Sequence, residues 1–240
     1  TATPVIDTLS EEEKEEMKLV EKILDDNLFT YYFQPLIKVS DGSVFAYEAL
    51  MRSTTDPMVS PLTIIKYANM MDRLVDVEKH TFLNVLAYID ANPELFPQHK
   101  IFINSIPGTK LDDDVYDMVE SLLLANSKTV VIEMTEETNL TSEEIDEMKK
   151  RYERLGIQIA VDDYGSGYSN VSNLIQYMPD YVKIDRSLIS DIHDKPQKQF
   201  FVREIISFCH ENNMLALAEG VETSEELKTV IGYGIDLIQG

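Results

Sequence analysis

Eight short apolar runs recur along the 240 residues, and nearly every one carries a charged or amide residue near its C-terminal end. In order they are YYFQPLI from Tyr31, VFAYEALM from Val44, IFINS from Ile101, VVIEM from Val130, IQIAVDD from Ile157, YVKID from Tyr181, LALAEG from Leu215 and IDLIQ from Ile235. Runs this short, bounded by polar turns, read as buried strands. Amphipathic stretches at 111–125, 141–155, 169–177, 187–213 and 223–231 separate the later runs, and two more helical segments occupy 61–72 and 73–91. Strands that alternate with helices build a parallel sheet, which predicts an α/β fold of the TIM-barrel (β/α)8 type. The first two runs are joined only by VSDGS, a hairpin-like turn, so the first strand is expected to run antiparallel. A doubly wound open sheet is the structural alternative. Residues 1–29 read as a polar lead-in and an acidic helix, with Ser10 and Glu13 at capping-box spacing and Met17, Val20 and Leu24 at helical intervals. Residues 30–240 show no repeat and no linker rich in Pro, Gly or Ser, and read as one domain.

Charge narrows the function. Forty-three acidic residues against twenty-one basic ones give a formal charge of -22. Such a surface argues against DNA or an anionic membrane as partner. A polyanionic ligand would need local compensation, and metal ions are the obvious source. The lone Cys209 excludes an internal disulfide framework, and its helical surroundings make it a buried structural thiol in a reducing, cytoplasmic setting. No apolar run approaches the ~20 residues of a membrane span, and the N-terminus lacks a signal-peptide pattern, although a full-length protein could still be tethered to a membrane. Because the chain opens on Thr1, it is expected to be part of something longer.

The polar residues at the run ends are Glu48, Asn104, Glu133, Asp162, Asp163, Lys183, Asp185, Glu219 and Gln239. In a parallel barrel those ends converge on the face that holds the active site. Five are carboxylates, and gathering them is costly unless cations neutralise them; oxygen ligands select hard ions such as Mg²⁺ or Mn²⁺. Adjacent Asp162 and Asp163 can serve a two-metal hydrolase if the second aspartate turns back to the site. Each position has a plainer reading as well: a helix cap, a rim charge, an Asx turn at Asn104, or a simple Lys183–Asp185 pair. The chain has no HExxH, no Walker-type loop, no GxSxG and no paired cysteines, so zinc protease, P-loop and serine hydrolase chemistry have no support. His80, His99, His193 and His210 show no ligand spacing.

With these residues laid out, the sequence resembles the EAL domain family, the cyclic di-GMP phosphodiesterases of bacteria. The matching strings are FQPLI at 33–37, YEALMR at 47–52, FINS at 102–105, IEMTEET at 132–138, DDYGSGYSN at 162–170, VKID at 182–185, AEGVET at 218–223 and the final QG. The resemblance implies hydrolysis of cyclic di-GMP to linear pGpG with two Mg²⁺ or Mn²⁺ ions. It implies Glu48, Asn104, Glu133 and Asp162 as ligands of one metal, and Asp162, Asp163 and Glu219 as ligands of the second. By the same likeness Lys183 resembles the family lysine that contacts and orients the attacking water, Glu136 the glutamate that anchors the loop after the fifth strand, and Gln34, Arg52, Asp185 and Gln239 the substrate-contacting positions. A homodimer and a flanking sensory or GGDEF-type domain are implied by the same likeness. The chain departs from the family pattern at Ser53, where many members carry Trp, at Tyr164 and Ser166 in the DDFGTG loop, and at Ile106 before Pro107; none of these removes a ligand. It also stops before the last helix of a closed barrel. A cyclic di-GMP receptor that binds without hydrolysis, and an unrelated Mg²⁺-dependent barrel enzyme, are the competing readings.

Overall fold

Helix α1 (Glu11–Asp25) starts where Ser10 and Glu13 satisfy each other's backbone: Glu13 N–H donates to Ser10 Oγ at 3.2 Å, and Ser10 N–H to Glu13 Oε2 at 2.9 Å. Its one apolar stripe, Val20, Ile23 and Leu24, packs with Ile64 and Tyr67 of α2 (Pro61–Met70). The computed structural model describes residues 9–96, 98–135, 140–166 and 171–240, except for the side chains of residues 171 and 173.

The eight strands are β1 (Phe29–Lys38), β2 (Val44–Ser53), β3 (Lys100–Asn104), β4 (Val130–Thr135), β5 (Gln158–Tyr164), β6 (Tyr181–Ile184), β7 (Leu215–Ala218) and β8 (Leu237–Ile238). They close into a barrel in sequence order. β1 is antiparallel to both neighbours, β2 and β8, and every other pair is parallel. The open-sheet alternative is thereby excluded. Around the barrel run α3 (Leu74–Ala91), α4 (Asp113–Ala125), α5 (Ser142–Leu155), α6 (Val171–Tyr177), α7 (Arg186–Ile189), α8 (Pro196–Glu211) and α9 (Ser224–Gly232).

The segment 187–213, expected as one helix, is broken into α7, a 3-10 turn at Ile192–Asp194, and α8. Asp191 adopts a left-handed φ of 56°, and Pro196, which has no N–H to donate, sits in the first turn of α8.

Because side chains alternate along a strand, residues i and i+2 face the same way. The barrel interior is filled by one buried layer of Leu36, Ala46, Phe102, Val131, Ala160, Tyr181, Leu217 and Leu237, one residue from each strand. The residues two further on, on the same side, set the composition of the next layer toward the C-terminal mouth.

Candidate metal centre

That next layer is polar throughout. Two positions after its apolar partner comes Glu48, Asn104, Glu133, Asp162, Lys183, Glu219 or Gln239. On the reversed β1 the equivalent residue comes two positions earlier, at Gln34, directly opposite Glu48 in the register. Each strand therefore holds an apolar plug and a polar tip, and closure of the barrel assembles the tips.

Lys183 stands at the centre of this layer, 1% exposed. Its Nζ lies 3.2 Å from Glu48, 2.8 Å from Glu133, 2.8 Å from Asp162 and 3.0 Å from Glu219. An ammonium has three donors, so four carboxylates exceed what it can serve. Both oxygens of Glu133 and Oδ1 of Asp162 are buried without a well-formed hydrogen bond, even though Nζ is close to one oxygen of each. Glu48 fares better: Asn104 Nδ2 donates to its Oε1 at 3.2 Å and Gln239 Nε2 to its Oε2 at 2.7 Å.

The titration behaviour follows from these contacts. Burial opposes ionisation of Glu48, but Lys183 and the hydrogen bonds from Gln239, Lys183 and Asn104 hold its carboxyl below the usual range. Burial and then the Glu48 charge push Glu133 well above that range. Glu219 is pushed up to about 8 by burial, against the pull of Lys183. Burial and then Asp162 lift Asp163 to about 6. The Lys183 ammonium is disfavoured by burial, yet the surrounding carboxylates hold its pKa well above the ordinary value.

Neighbouring residues on a strand point to opposite faces, so Asp163 would ordinarily leave the interior. A break in the β5–β6 register between Val161 and Tyr164, with Asp163 at a left-handed φ of 55°, turns its carboxylate back. Asp162 Oδ then belongs to two groups of acids whose oxygens lie within 4.8 Å of one another: Glu48, Glu133 and Asp162, and Asp162, Asp163 and Glu219. Oxygen-only donors with unpartnered buried atoms fit hard divalent cations. A cavity of about 1120 Å³ opens over them, lined among others by Glu48, Arg52, Asn104, Asp162 and Asp163.

The family model described as EAL domain matches residues 17–240. The chain belongs to the EAL domain family. It is 27% identical over 225 residues to the cyclic di-GMP phosphodiesterase PdeR of Escherichia coli, covering 91% of this chain and 34% of that protein. To the cyclic di-GMP phosphodiesterase PdeF of Escherichia coli it is 28% identical over 231 residues, covering 93% of this chain and 30% of the other. It thus spans about a third of the length of these curated relatives. Among solved structures, a manganese/cy-diGMP complex of Klebsiella pneumoniae BlrP1 at pH 9.0 superposes with a TM-score of 0.78 at 29% identity, over 89% of this chain and 54% of that one. A c-di-GMP bound form of a standalone EAL protein from Vibrio cholerae gives 0.77 at 27% identity, over 88% and 89% of the two chains.

In this EAL domain the remaining residues named from sequence fall into three groups. Arg52 reaches the cavity wall, its guanidinium 5.3 Å from the Tyr32 ring centroid and its Nη1 donating to Met51 O at 2.7 Å. Asp185 spends its carboxylate on the start of α7, accepting from Ser187 N–H at 2.9 Å, and makes no pair with Lys183 among the described residues. Glu136 lies outside the described residues, as does the end of the loop at 167–170. Ser53 is buried, and its hydroxyl accepts from Val59 N–H at 2.7 Å. The histidines are structural or peripheral: His80 meets Leu24 O at 2.9 Å and His210 meets Asp236 at 2.9 Å. Burial pushes the Cys209 thiol up to about 12, which suits an inert core residue. Among the described residues no helix is long and apolar enough to cross a membrane.

Two buried acids close to the site escape the run-end pattern. Glu226 of α9 accepts from the backbone N–H groups of Asp191, Glu222 and Thr223, and so ties down the segment after β7. Glu78 of α3 does the same for the turn after β3. The signal for Glu78 is an acid on the same helical stripe as Phe82, Val85 and Ile89, all buried.

Proposed function

We propose that this EAL domain hydrolyses one phosphodiester of cyclic di-GMP to linear pGpG, with two divalent cations, Mg²⁺ or Mn²⁺. The observation that carries the reading is the pair of acid groups sharing Asp162, with oxygens that the chain's own donors leave unmet, at the foot of the large cavity. It is supported by the relatives named as cyclic di-GMP phosphodiesterases and by the manganese and cyclic dinucleotide in the BlrP1 complex.

On this reading Glu48, Asn104, Glu133 and Asp162 hold one cation, and Asp162, Asp163 and Glu219 the other. Bound there, the pair would supply Lewis acidity and would draw the pKa of water down from about 15.7 towards neutrality. The chain's residues do the rest. Lys183, immobilised and cationic, orients the attacking water and offsets charge building on the non-bridging phosphate oxygens. Glu219 fixes that ammonium from one side while also serving as a ligand. Arg52 offers a fork of donors to the second phosphate. Gln34, Asp185 and Gln239 contact the substrate, Gln239 through the buried Oε1 that has no partner, and Glu136 anchors the loop after β5. This local chemistry lets a chain of charge -22 accept a dianion.

The test is a timed assay for pGpG with the purified chain in Mg²⁺, Mn²⁺ or Ca²⁺. Hydrolysis in Mg²⁺ or Mn²⁺ is expected, with no detectable turnover in Glu48→Ala or Asp162→Ala. Near wild-type turnover by either variant would reject the ligand assignment. Binding of cyclic di-GMP without pGpG in any ion would make the chain a receptor, and no binding at all would return it to an unrelated metal-dependent barrel enzyme.

A further inference from the structure

Glu78 is 6% exposed, yet no cation comes within ion-pair distance of it among the described residues. A buried acid is expensive unless its oxygens are met. Both are met by one short turn: Ser105 Oγ donates to Oε1 at 2.6 Å and Ile106 N–H to Oε2 at 2.8 Å. The turn begins one residue after Asn104, whose Nδ2 makes a 3.2 Å bond to Glu48.

Packing alone is a poor support here. Glu78 lines the large cavity on one side and a second cavity of about 270 Å³, between α3, α4 and α5, on the other. Because cavities flank Glu78 itself, the directed bonds of its carboxylate, and not close packing around it, fix where it meets the turn. If the acid served only stability, an apolar side chain continuing the Phe82, Val85 and Ile89 stripe would serve as well.

We propose that Glu78 is a positioning residue: by clamping Ser105 and Ile106 it holds Asn104 in the attitude that completes the first cation site. The inference rests on the reading of that site given above. Groups that orient a ligand from behind typically change metal affinity 10–100-fold when removed. Glu78→Gln keeps the shape but exchanges one acceptor oxygen for a donor, so the Ser105 bond survives only reversed and both bonds lose the charge that strengthens them.

The measurement is Mn²⁺ affinity of the purified chain, by titration followed with electron paramagnetic resonance, alongside metal-free melting temperature. Glu78→Gln is expected to weaken Mn²⁺ binding about tenfold, while the melting temperature moves by no more than ~3 °C. In an Asn104→Ala background the same change should add less than about twofold, since the two residues act as one unit. Affinity within about twofold of wild type, or a full tenfold loss that persists without Asn104, would overturn the proposal. Should Glu78→Gln fail to fold, Ser105→Ala removes one of the two clamp bonds and is expected to weaken Mn²⁺ binding about threefold; unchanged affinity there counts against the clamp. A wild-type chain that takes up no Mn²⁺ sinks the site reading and this inference together, whereas wild-type uptake with an indifferent Glu78→Gln sinks this inference alone.

Discussion

The two mouths of the barrel meet their acids in different ways, half-buried at the N-terminal mouth and, at Glu133, wholly buried at the C-terminal one. At the N-terminal mouth, Asp180 accepts from Ile159 N–H at 2.9 Å and from Gln158 Nε2 at 3.2 Å, and Asp236 Oδ2 accepts from Ala216 N–H at 2.9 Å and faces His210. Each is satisfied by the chain and pins one strand to the next. At the C-terminal mouth Glu133 is wholly buried with neither oxygen well bonded. Burial of an acid therefore says little about function; the question is whether the fold supplies its donors. Glu226 marks the boundary: it lies close to the site, but the backbone N–H groups around it overcome the effect of burial and keep its carboxyl below the usual range. Where the fold withholds donors from several acids at once, those acids keep their protons or take positive charge from outside the chain.

The sharpest way to break this comparison is to remove the buried cation at the centre of the C-terminal mouth. Lys183→Met should destabilise the metal-free chain by about 3–5 kcal/mol, because Glu48, Glu133, Asp162 and Glu219 lose their shared partner. Saturating Mn²⁺ should restore most of that loss in a thermal melt; a variant as stable in EDTA as wild type would show that Lys183 does not hold the acids together. Next in size is an opposition of sign between the mouths. Asp236→Asn should cost about 1–3 kcal/mol in the metal-free chain, since it disturbs the pairing with His210 and the acceptor for Ala216. Glu133→Gln should leave stability unchanged or raise it, since burial and the Glu48 charge already disfavour ionisation of the carboxyl it replaces. Denaturant titration of both variants in EDTA decides, and equal losses would erase the distinction.

The smallest effect is on pH. Glu219 rises from 4.5 to about 8 and Asp163 from 3.8 to about 6 on folding. Between those values the folded chain keeps protons that the unfolded chain has lost, so unfolding free energy falls as pH rises. Metal-free melts should therefore decline in Tm from about pH 4.5 to about 8. Glu78, raised to about 7 by burial, adds to the same slope. Divalent ions demand deprotonated ligands, so at saturating Mn²⁺ the part due to Glu219 and Asp163 should vanish and leave the part due to Glu78. A metal-free Tm that rises across this window would contradict the burial of these acids.

Much of the mouth was legible because its rule is local: an apolar residue, a spacer, then a polar tip, repeated strand by strand, as in Phe102–Ile103–Asn104 and Val131–Ile132–Glu133. The break before α8 was less visible, because apolar spacing continues through Ile189 and Ile192 into Val202 while the interruption rests on the backbone at Asp191. The crowding of four carboxylates about Lys183 could not be read from spacing, since Glu48 and Lys183 stand 135 residues apart and meet only on closure. Glu78 was hidden for a different reason. It lies on a helix rather than at a strand end, and only the turn it holds connects it to the chemistry.

The reversal of β1 has a mechanical corollary. In a barrel whose strands all run one way, the chain enters at the end remote from the chemistry. Here Phe29 starts β1 beside Ser53, the last residue of β2, while Lys38 finishes next to Leu237 at the opposite end. Helix α1 consequently feeds into the barrel at the mouth that gathers the acids, so a push or pull on that helix would be delivered at the rim of the large cavity instead of at the barrel's base.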